Sequence, residues 1–367
     1  MRILITAGGT GGHVYPALAV AQAFGASSAP GDIQILWIGS AGGMEAELVG
    51  RAGIQFAAVE GAGLHGMGMR ALPNFFRLVA GFFQSLGLVA RFRPDTLFVT
   101  GGFVAVPVAL AAFLRRVPSL VYLPDIEPGL AVKWLSRLAR KVAVTAEDSR
   151  AFFPNRKVVV TGYPVRDAMR AATRDRALAT FNLDPALRTL IVFGGSRGAR
   201  SLNRALIAGA SDLLAHFQII HVAGQLDWPG VSAARETLPE SLKPRYHAFA
   251  YLHDEMAPAL AAADLAVARA GASTLGELPL FGLPAILVPY PHAWRYQKVN
   301  ADYLAASGAA VRLNDEELAA KLVPTILGLM ADRTRLAEMR ARMRALARPD
   351  AAGAIANELR ALAGVSP

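Results

Sequence analysis

Short, nearly unbroken apolar runs recur along the chain, separated by longer segments whose apolar residues repeat at helical spacing. In the first half the runs are RILIT, IQILWI, DTLFVT, SLVYL and KVAVT; in the second they are KVVVT, TLIVF, QIIHV, LAVAR and AILV. Strands apolar on both faces, alternating with amphipathic helices, predict parallel sheets covered on both sides. RILITAGGTGGH near the N-terminus and TLIVFGGSRGAR near the middle each read as strand, glycine-rich turn and helix start. Each would open one doubly wound domain. The pattern therefore predicts an α/β chain with two Rossmann-like domains, residues 1–162 and 163–345. A terminal helix, 346–367, would pack back on the first. The joint falls within 161–185, where GYP and a charged helix interrupt the alternation. Two such domains facing each other would place a ligand cleft between the carboxyl ends of both sheets.

Composition narrows the class. With 367 residues, 53% of them hydrophobic and 18% charged, the chain can bury large cores, which excludes global disorder. Lys+Arg 38 against Asp+Glu 28 gives a net charge of +10. Such an excess points to an anionic partner: nucleic acid, an acidic membrane surface or a phosphorylated substrate. No nucleic-acid-binding motif accompanies it, so no nucleic-acid partner is expected. The absence of Cys excludes disulfides, thiolate catalysis and Cys-ligated metal. MRILITAGG is too short for a signal-peptide core and reads as a first strand. The longest uncharged stretch, Thr96 to Leu114, approaches the ~20 residues of a spanning helix, but Gly101-Gly102 and Pro107 divide it into strand, turn and helix.

Three turns carry candidate chemistry. In Gly8-Gly9-Thr10-Gly11-Gly12-His13, glycines let the backbone approach a ligand and the following helix N-terminus attracts anions. No frame supplies G-x-G-x-x-G, and IGSAGG after the second strand lacks the ribose-binding acid, so a dinucleotide site is not expected. A structural turn would account for the glycines; it would not account for His13. At a helix start the dipole disfavours imidazolium and keeps the ring neutral, as a general base requires. Gly194-Gly195-Ser196-Arg197-Gly198-Ala199 is a second nest suited to a diphosphate, and without GKS/T it is not a nucleotide-hydrolysing P-loop. In the third turn, Ala270-Gly271-Ala272-Ser273-Thr274, small residues lead into a helix bearing Glu277 in its first turn. A carboxylate there suits vicinal ribose hydroxyls; a helix-dipole role is the plainer reading.

GGTGGHVYPALAVA, GGSRGARSLN, TGYPVRDAM and RAGASTLGELPLFGLPAILVPYPHAWRYQKVNA, taken in order, resemble the bacterial peptidoglycan glycosyltransferases of GT-B fold. The likeness spans essentially the whole chain. Members of that family move N-acetylglucosamine from UDP-GlcNAc to lipid I, giving lipid II, at the inner face of the cytoplasmic membrane. The resemblance implies an inverting hexosyltransferase with no cofactor or metal, its N-terminal domain facing acceptor and membrane and its C-terminal domain binding the UDP-sugar. It implies that Thr10, Gly11, Gly12 and His13 face the acceptor diphosphate and reacting sugar. Arg166 and Ser196 match donor-contacting positions, and Leu252 the backbone position beside uracil. Ala272, Ser273, Thr274, Leu275, Gly276 and Glu277 match the phosphate- and ribose-binding helix start, and Gln297 a glutamine reading the GlcNAc hydroxyls.

The chain departs from the family at three places. Tyr122-Leu123-Pro124-Asp125 replaces a His-Glu-Gln-Asn stretch, so Asp125 stands where an Asn contacts the donor sugar; a carboxylate accepts but cannot donate. Gly63-Leu64-His65-Gly66 lacks a guanidinium, and Tyr296 replaces a glutamine. The donor class is little affected and the acceptor more so. Rival expectations are another GT-B enzyme with a different lipid acceptor, a nucleotide-sugar epimerase, and an inactive membrane-associated UDP-sugar-binding protein.

Residues 70–93 place Leu72, Phe75, Phe76, Val79, Phe82, Phe83, Leu86 and Val89 on a broad apolar face, with Arg70, Arg77, Arg91 and Arg93 around it. That is the composition of a helix lying on an anionic membrane surface. A core helix of the first domain is the competing reading.

Overall fold

A computed structural model describes residues 1–9, 11–26, 31–40, 42–61, 71–195, 198–292 and 295–365, with the side chains at 44, 71–73 and 75 outside the description. The chain divides into two compact units: Met1–Arg166 with Pro349–Pro367, and Asp167–Arg348.

The first unit holds a seven-stranded sheet: β1 Arg2–Ala7, β2 Gln34–Ser40, β3 Gln55–Val59, β4 Thr96–Gly101, β5 Ser119–Leu123, β6 Lys141–Val144 and β7 Val158–Val160. Its order is β3-β2-β1-β4-β5-β6-β7, with every pairing parallel. Helices α1 Gly11–Ala26, α2 Met44–Arg51, α3 Ala71–Phe92, α4 Ala105–Leu114 and α5 Leu130–Leu138 connect the strands. The last helix of the chain, Ala351–Leu362, packs on α1 and on β4 and β5. Ile355 and Leu359 are fully buried there and Arg360 lies over the Phe24 ring, so the C-terminal segment completes this unit's core. At about 1.5–3 kcal/mol for each fully buried large aliphatic side chain, that helix is a substantial part of the first unit's stability.

The second unit holds a six-stranded parallel sheet: β8 Thr189–Phe193, β9 Gln218–Val222, β10 Tyr246–Phe249, β11 Leu265–Ala268, β12 Ala285–Leu287 and β13 Ala310–Arg312. Its order is β10-β9-β8-β11-β12-β13. Helices used below are α6 Arg200–Ala208, following β8, α7 Thr274–Phe281, following β11, and α8 Tyr296–Ala306, following β12. Asp264, just before β11, accepts from the Thr189 amide at 2.9 Å and pairs with Arg174 and Arg340, tying sheet to flanking helices.

The α/β class with two parallel-sheet Rossmann-like units is what the apolar runs predict. KVVVT, grouped by position with the second set, pairs instead with β6 in the first sheet. Three strands escaped the reading: β3, β10 and β13. Each of them, like β7, lies at the edge of its sheet. The three are partly solvated and carry Gln55, His247 or Arg312, which break the apolar run, whereas β7 keeps three valines at its edge and is legible. Thr96 to Leu114 forms β4, a turn and α4 as expected, and among the described residues no helix is long and apolar enough to cross a membrane.

Candidate active site

In both sheets the strand order reverses beside the first strand of the unit: between β1 and β4, and between β8 and β11. Crevices outside the carboxyl ends of strands at such reversals are where doubly wound sheets bind ligands. All three turns singled out in the sequence leave the sheets at these two places.

In the first unit, β1 runs into Gly8-Gly9, with Gly9 at φ +88°, and α1 begins at Gly11. Thr10, expected among the acceptor-facing residues, lies outside the described residues, as does the 63–66 loop with His65. β4 ends in Gly101 (φ +130°) and Gly102 (φ +94°), conformations that L side chains rarely adopt. A Cβ on Gly102 would lie 2.7 Å from the Gly8 carbonyl oxygen, so the two turns touch backbone to backbone. A Cβ on Gly101 would lie 2.7 Å from Cε1 and Nδ1 of His13. The imidazole thus occupies the space a side chain at 101 would fill. The Thr100 hydroxyl donates to the His13 carbonyl at 2.8 Å and ties β4 to the first turn of α1. The sequence reading used Gly101-Gly102 only to interrupt a long apolar stretch; a glycine pair ending a strand was itself the signal.

His13 is partly accessible, yet its Nδ1 is buried and makes no hydrogen bond among the described residues. Burial holds its pKa below the ordinary histidine value, while the Asp125 charge and the Thr100 main chain pull upward. Burial prevails, so the ring is neutral near pH 7, the state a base needs. Asp125 sits half-buried just beyond β5. That strand end is pinned by Thr145, whose hydroxyl lies 2.8 Å from the Tyr122 hydroxyl and reaches the carbonyls of Leu123 and Pro124 at 3.0 and 2.9 Å. Tyr122 is fully buried in this network. Arg166 is the last residue of the first unit and stacks over Tyr15 of α1, 4.9 Å from its centroid. Behind the first turn, buried Glu45 accepts from the Ser40 amide at 2.9 Å and hydroxyl at 2.6 Å.

In the second unit, β8 runs into Gly194-Gly195, with Gly195 at φ +89°, and Gly198 at φ +82° precedes α6. Ser196 and Arg197 lie outside the described residues. The Gly198 amide donates to the Gly195 carbonyl at 2.9 Å, closing the nest, and a Cβ on Gly198 would collide with the Ala223 carbonyl. Asn203, on α6, donates to that same carbonyl at 2.8 Å and to Asp227 at 3.0 Å. Its own oxygen lies 3.0 Å from Nε2 of buried His221, whose Nδ1 is 2.6 Å from the Tyr246 hydroxyl. Burial pushes the His221 pKa down to about 4, so a neutral ring locks this network beneath the nest.

The third turn leaves β11 through Arg269-Ala270-Gly271. Thr274 donates through its hydroxyl to the Gly271 carbonyl at 2.6 Å, setting the start of α7. Ala272, Thr274 and Leu275 are buried; Ser273, Gly276 and Glu277 are partly accessible, which leaves them available to a ligand. Arg269, which the sequence reading passed over, is buried. It pairs with Asp315 at 2.6 Å, donates to Ser201 on α6 at 2.8 Å and lies over the Tyr290 ring. One guanidinium thereby fixes the starts of α6 and the β11 turn relative to each other. Gln297, in the first turn of α8, accepts from the Tyr290 amide at 2.9 Å, which leaves its amide N–H₂ to donate. Leu252 is buried in the loop after β10. Among the described residues no group of three His, Asp or Glu comes together that could hold a metal ion.

Family comparisons agree with this arrangement. The glycosyltransferase family 28 N-terminal domain matches residues 3–144 and its C-terminal domain residues 189–355. The chain is 42% identical to the UDP-N-acetylglucosamine–N-acetylmuramyl-(pentapeptide) pyrophosphoryl-undecaprenol N-acetylglucosamine transferase of Roseiflexus sp. (strain RS-1), over 97% of this chain and 94% of that one. It is 38% identical to the protein of the same name from Desulforudis audaxviator (strain MP104C), over 99% of both. Among solved structures, MurG of Acinetobacter baumannii matches with a TM-score of 0.76 and 27% identity, over 98% of this chain and 99% of that one. A UDP-GlcNAc 2-epimerase from Neisseria meningitidis matches with a TM-score of 0.70 over 98% of this chain and 99% of that one, but at 12% identity it shares the fold alone. With two parallel-sheet units of GT-B type and both domain models matched in order, the chain belongs to glycosyltransferase family 28 and is a hexosyltransferase.

Proposed function

We propose that this chain transfers N-acetylglucosamine from UDP-GlcNAc to the C4 hydroxyl of the muramyl sugar of lipid I, with inversion at the anomeric carbon. The observation that carries the reading is His13 laid against Gly101 at the first strand reversal, in a chain whose relatives bear this reaction in their names over nearly their full length. His13 takes the C4-hydroxyl proton as the C4 oxygen bonds to the anomeric carbon and the bond to the diphosphate breaks. UDP leaves with the electron pair. The nest at Ser196 and the helix start at Ala272–Thr274 stabilise the charge that develops there, acting as preorganised dipoles. Glu277 accepts from the ribose hydroxyls and the Leu252 main chain meets the uracil. Arg166 and Gln297 hold the donor, Gln297 by donating to the sugar hydroxyls. Asp125 accepts from the donor sugar. Thr10, Gly11 and Gly12 face the acceptor diphosphate.

We place the reaction at the cytoplasmic face of the membrane, with the first unit resting on an anionic lipid surface. Helix α3 supports this through its two apolar stripes. Phe82, Leu86, Val89 and Phe92 pack into the first unit's core, as the core-helix reading required. Phe76, Val79 and Phe83 point outward at i, i+3 and i+7, with Phe76 62% and Phe83 64% exposed. Next to α3, α4 ends in exposed Phe113 and Leu114, and α5 exposes Leu130 and Trp134. Arg77, Arg91, Arg115, Arg116 and Arg137 lie on or beside these helices. Exposed apolar side chains on helices that also carry arginine suit shallow insertion between anionic headgroups.

The test is transfer of labelled GlcNAc from UDP-GlcNAc to a lipid I analogue by the purified protein, with and without anionic vesicles. Lipid-linked disaccharide is the expected product. Free N-acetylmannosamine or its UDP derivative without acceptor would make the chain an epimerase. UDP-GlcNAc binding with no product would make it a donor-binding protein.

A further inference from the structure

His13 has a buried ring nitrogen with no hydrogen-bonding partner among the described residues, and a buried polar atom left so costs about 1–3 kcal/mol. Such a defect at a reactive side chain suggests a partner that engages only when the site is occupied; catalytic hydrogen bonds are often long in free enzymes and tighten on binding. The surroundings of the ring narrow the choice. Gly101 offers only main chain. Thr100 already uses its hydroxyl on the His13 carbonyl, and its own main chain faces the ring closely enough to favour the charged form without meeting hydrogen-bond geometry at Nδ1. Tyr122 is fully buried and bound to Thr145 and Gly162. Tyr15, two residues along α1, is covered by the Arg166 guanidinium. Glu45 lies behind Gly8 with Ser40, where a Cβ on Gly8 or Gly43 would strike its carboxylate. Asp125 is the remaining charged group, and its carboxylate acts electrostatically on both His13 and Tyr122. It projects from the turn after β5, two strands from the β1 turn that leads into His13, on the same carboxyl edge of the sheet.

We propose that Asp125 is a positioning residue for His13: with substrates bound its carboxylate accepts the Nδ1–H of the imidazole, which leaves Nε2 free to take the acceptor hydroxyl proton. This rests on the reading of His13 as the base and adds to Asp125's contact with the donor sugar. The carboxylate does two things that an amide at this position could not. It selects one tautomer, and it stabilises the imidazolium that forms as the proton is transferred. The position thereby turns a departure from the family pattern into a second function of the same residue. No proton leaves Asp125 or is retained by it. The proton that His13 acquires returns to solvent after UDP departs.

The test compares Asp125→Asn, Asp125→Glu and His13→Ala, reading kcat against pH with donor saturating, and the titration of His13 by NMR of ¹⁵N-histidine-labelled protein. Asp125→Asn is expected to lower kcat by about 10–10³-fold, within the range that positioned acid–base groups contribute. It should also move the His13 titration and the acid limb of kcat to lower pH, since the charge that favours imidazolium is gone. Asp125→Glu should restore part of both. A role confined to holding the donor would raise KM and, although the lost charge still moves the titration and the limb, leave saturated kcat at its pH optimum unmoved; that result overturns the proposal. His13→Ala separates the two levels. If it keeps near-normal turnover, the base reading itself fails. If it is inactive while Asp125→Asn keeps the wild-type saturated kcat at its pH optimum, only the positioning role fails. Should Asp125→Asn not fold, an Asp125→Glu titration identical to wild type in the free and UDP-bound protein, with unchanged kcat, refutes the proposal equally.

Discussion

The two strand reversals share a topology and differ in what fills the space between their turns. At β1/β4 the space between turns is taken by a side chain: glycines at 101 and 102 open room, and the His13 ring fills it. At β8/β11 the turns stay open to a ligand, and side chains act from beneath, Arg269 clipping α6 to the β11 turn and His221 locking Asn203. On the proposed reading, the first reversal supplies the base and the second holds the donor. Glycine serves opposite ends in the two, making way for an imidazole in one and exposing amides in the other.

Removing the reactive group should produce the largest effect. His13→Ala is expected to cut kcat by about 10²–10⁴-fold with the UDP affinity within a few-fold of wild type, measured by transfer assay and calorimetry side by side. A matched loss of UDP affinity would erase the division of labour. Next is the clip in the second unit. Arg269→Met removes the cation from Asp315, which keeps the Ser201 hydroxyl at 2.7 Å and sees some solvent, so the cost should fall near or below the lower end of the ~3–5 kcal/mol for breaking a buried pair. Denaturant unfolding reads that loss, and KM for the donor should rise with it while the His13 titration stays put.

The pH response sharpens the contrast. His221 has a folded-state pKa of about 4 against about 6.5 unfolded, so its contribution is intact above pH 6.5 and is lost as pH falls towards 4. Over that window the second unit should lose about 3 kcal/mol, from ~1.4 kcal/mol per pKa unit. Calorimetric scans from pH 7 to pH 4 should show it, and His221→Gln should flatten the profile. The glycines give a smaller pair of effects. Gly195→Ala meets no neighbour and carries only the strain of its positive φ, on the order of 1 kcal/mol. Gly101→Ala carries that strain and displaces the imidazole as well, so its kcat should fall further than its stability predicts. Smallest in the soluble assay is the outer stripe of α3. Phe76→Ser with Phe83→Ser should leave turnover of a water-soluble acceptor and stability within ~0.5 kcal/mol of wild type, as for exposed positions, yet weaken sedimentation with anionic vesicles.

Legibility followed burial. Strands such as Ile3–Thr6 and Leu97–Thr100 were readable because both faces are covered and nearly every residue is apolar. The edge strands at 55–59, 246–249 and 310–312 carry Gln, His or Arg and so escaped. The glycine turns were visible as candidates because a backbone that must approach a ligand needs that residue type. Arg269 escaped although it lies between two quoted motif residues, since its partners, Ser201, Asp315 and Tyr290, are scattered over 114 positions of chain. The α3 pattern held both readings at once; only packing could apportion Phe82 to the core and Phe83 to the surface.

From residue order alone come the alternation of apolar strand and amphipathic helix, the two glycine-led openings and the helix-start histidine, because each depends on local sterics and periodic burial. The tertiary structure decided which strands flank the reversals, that the His13 ring rests on Gly101, and that Asp125 is the charge acting on it. Those facts depend on parallel crossovers that bring residues 13, 101 and 125 to one edge of a sheet, and no spacing along the chain encodes a distance across strands.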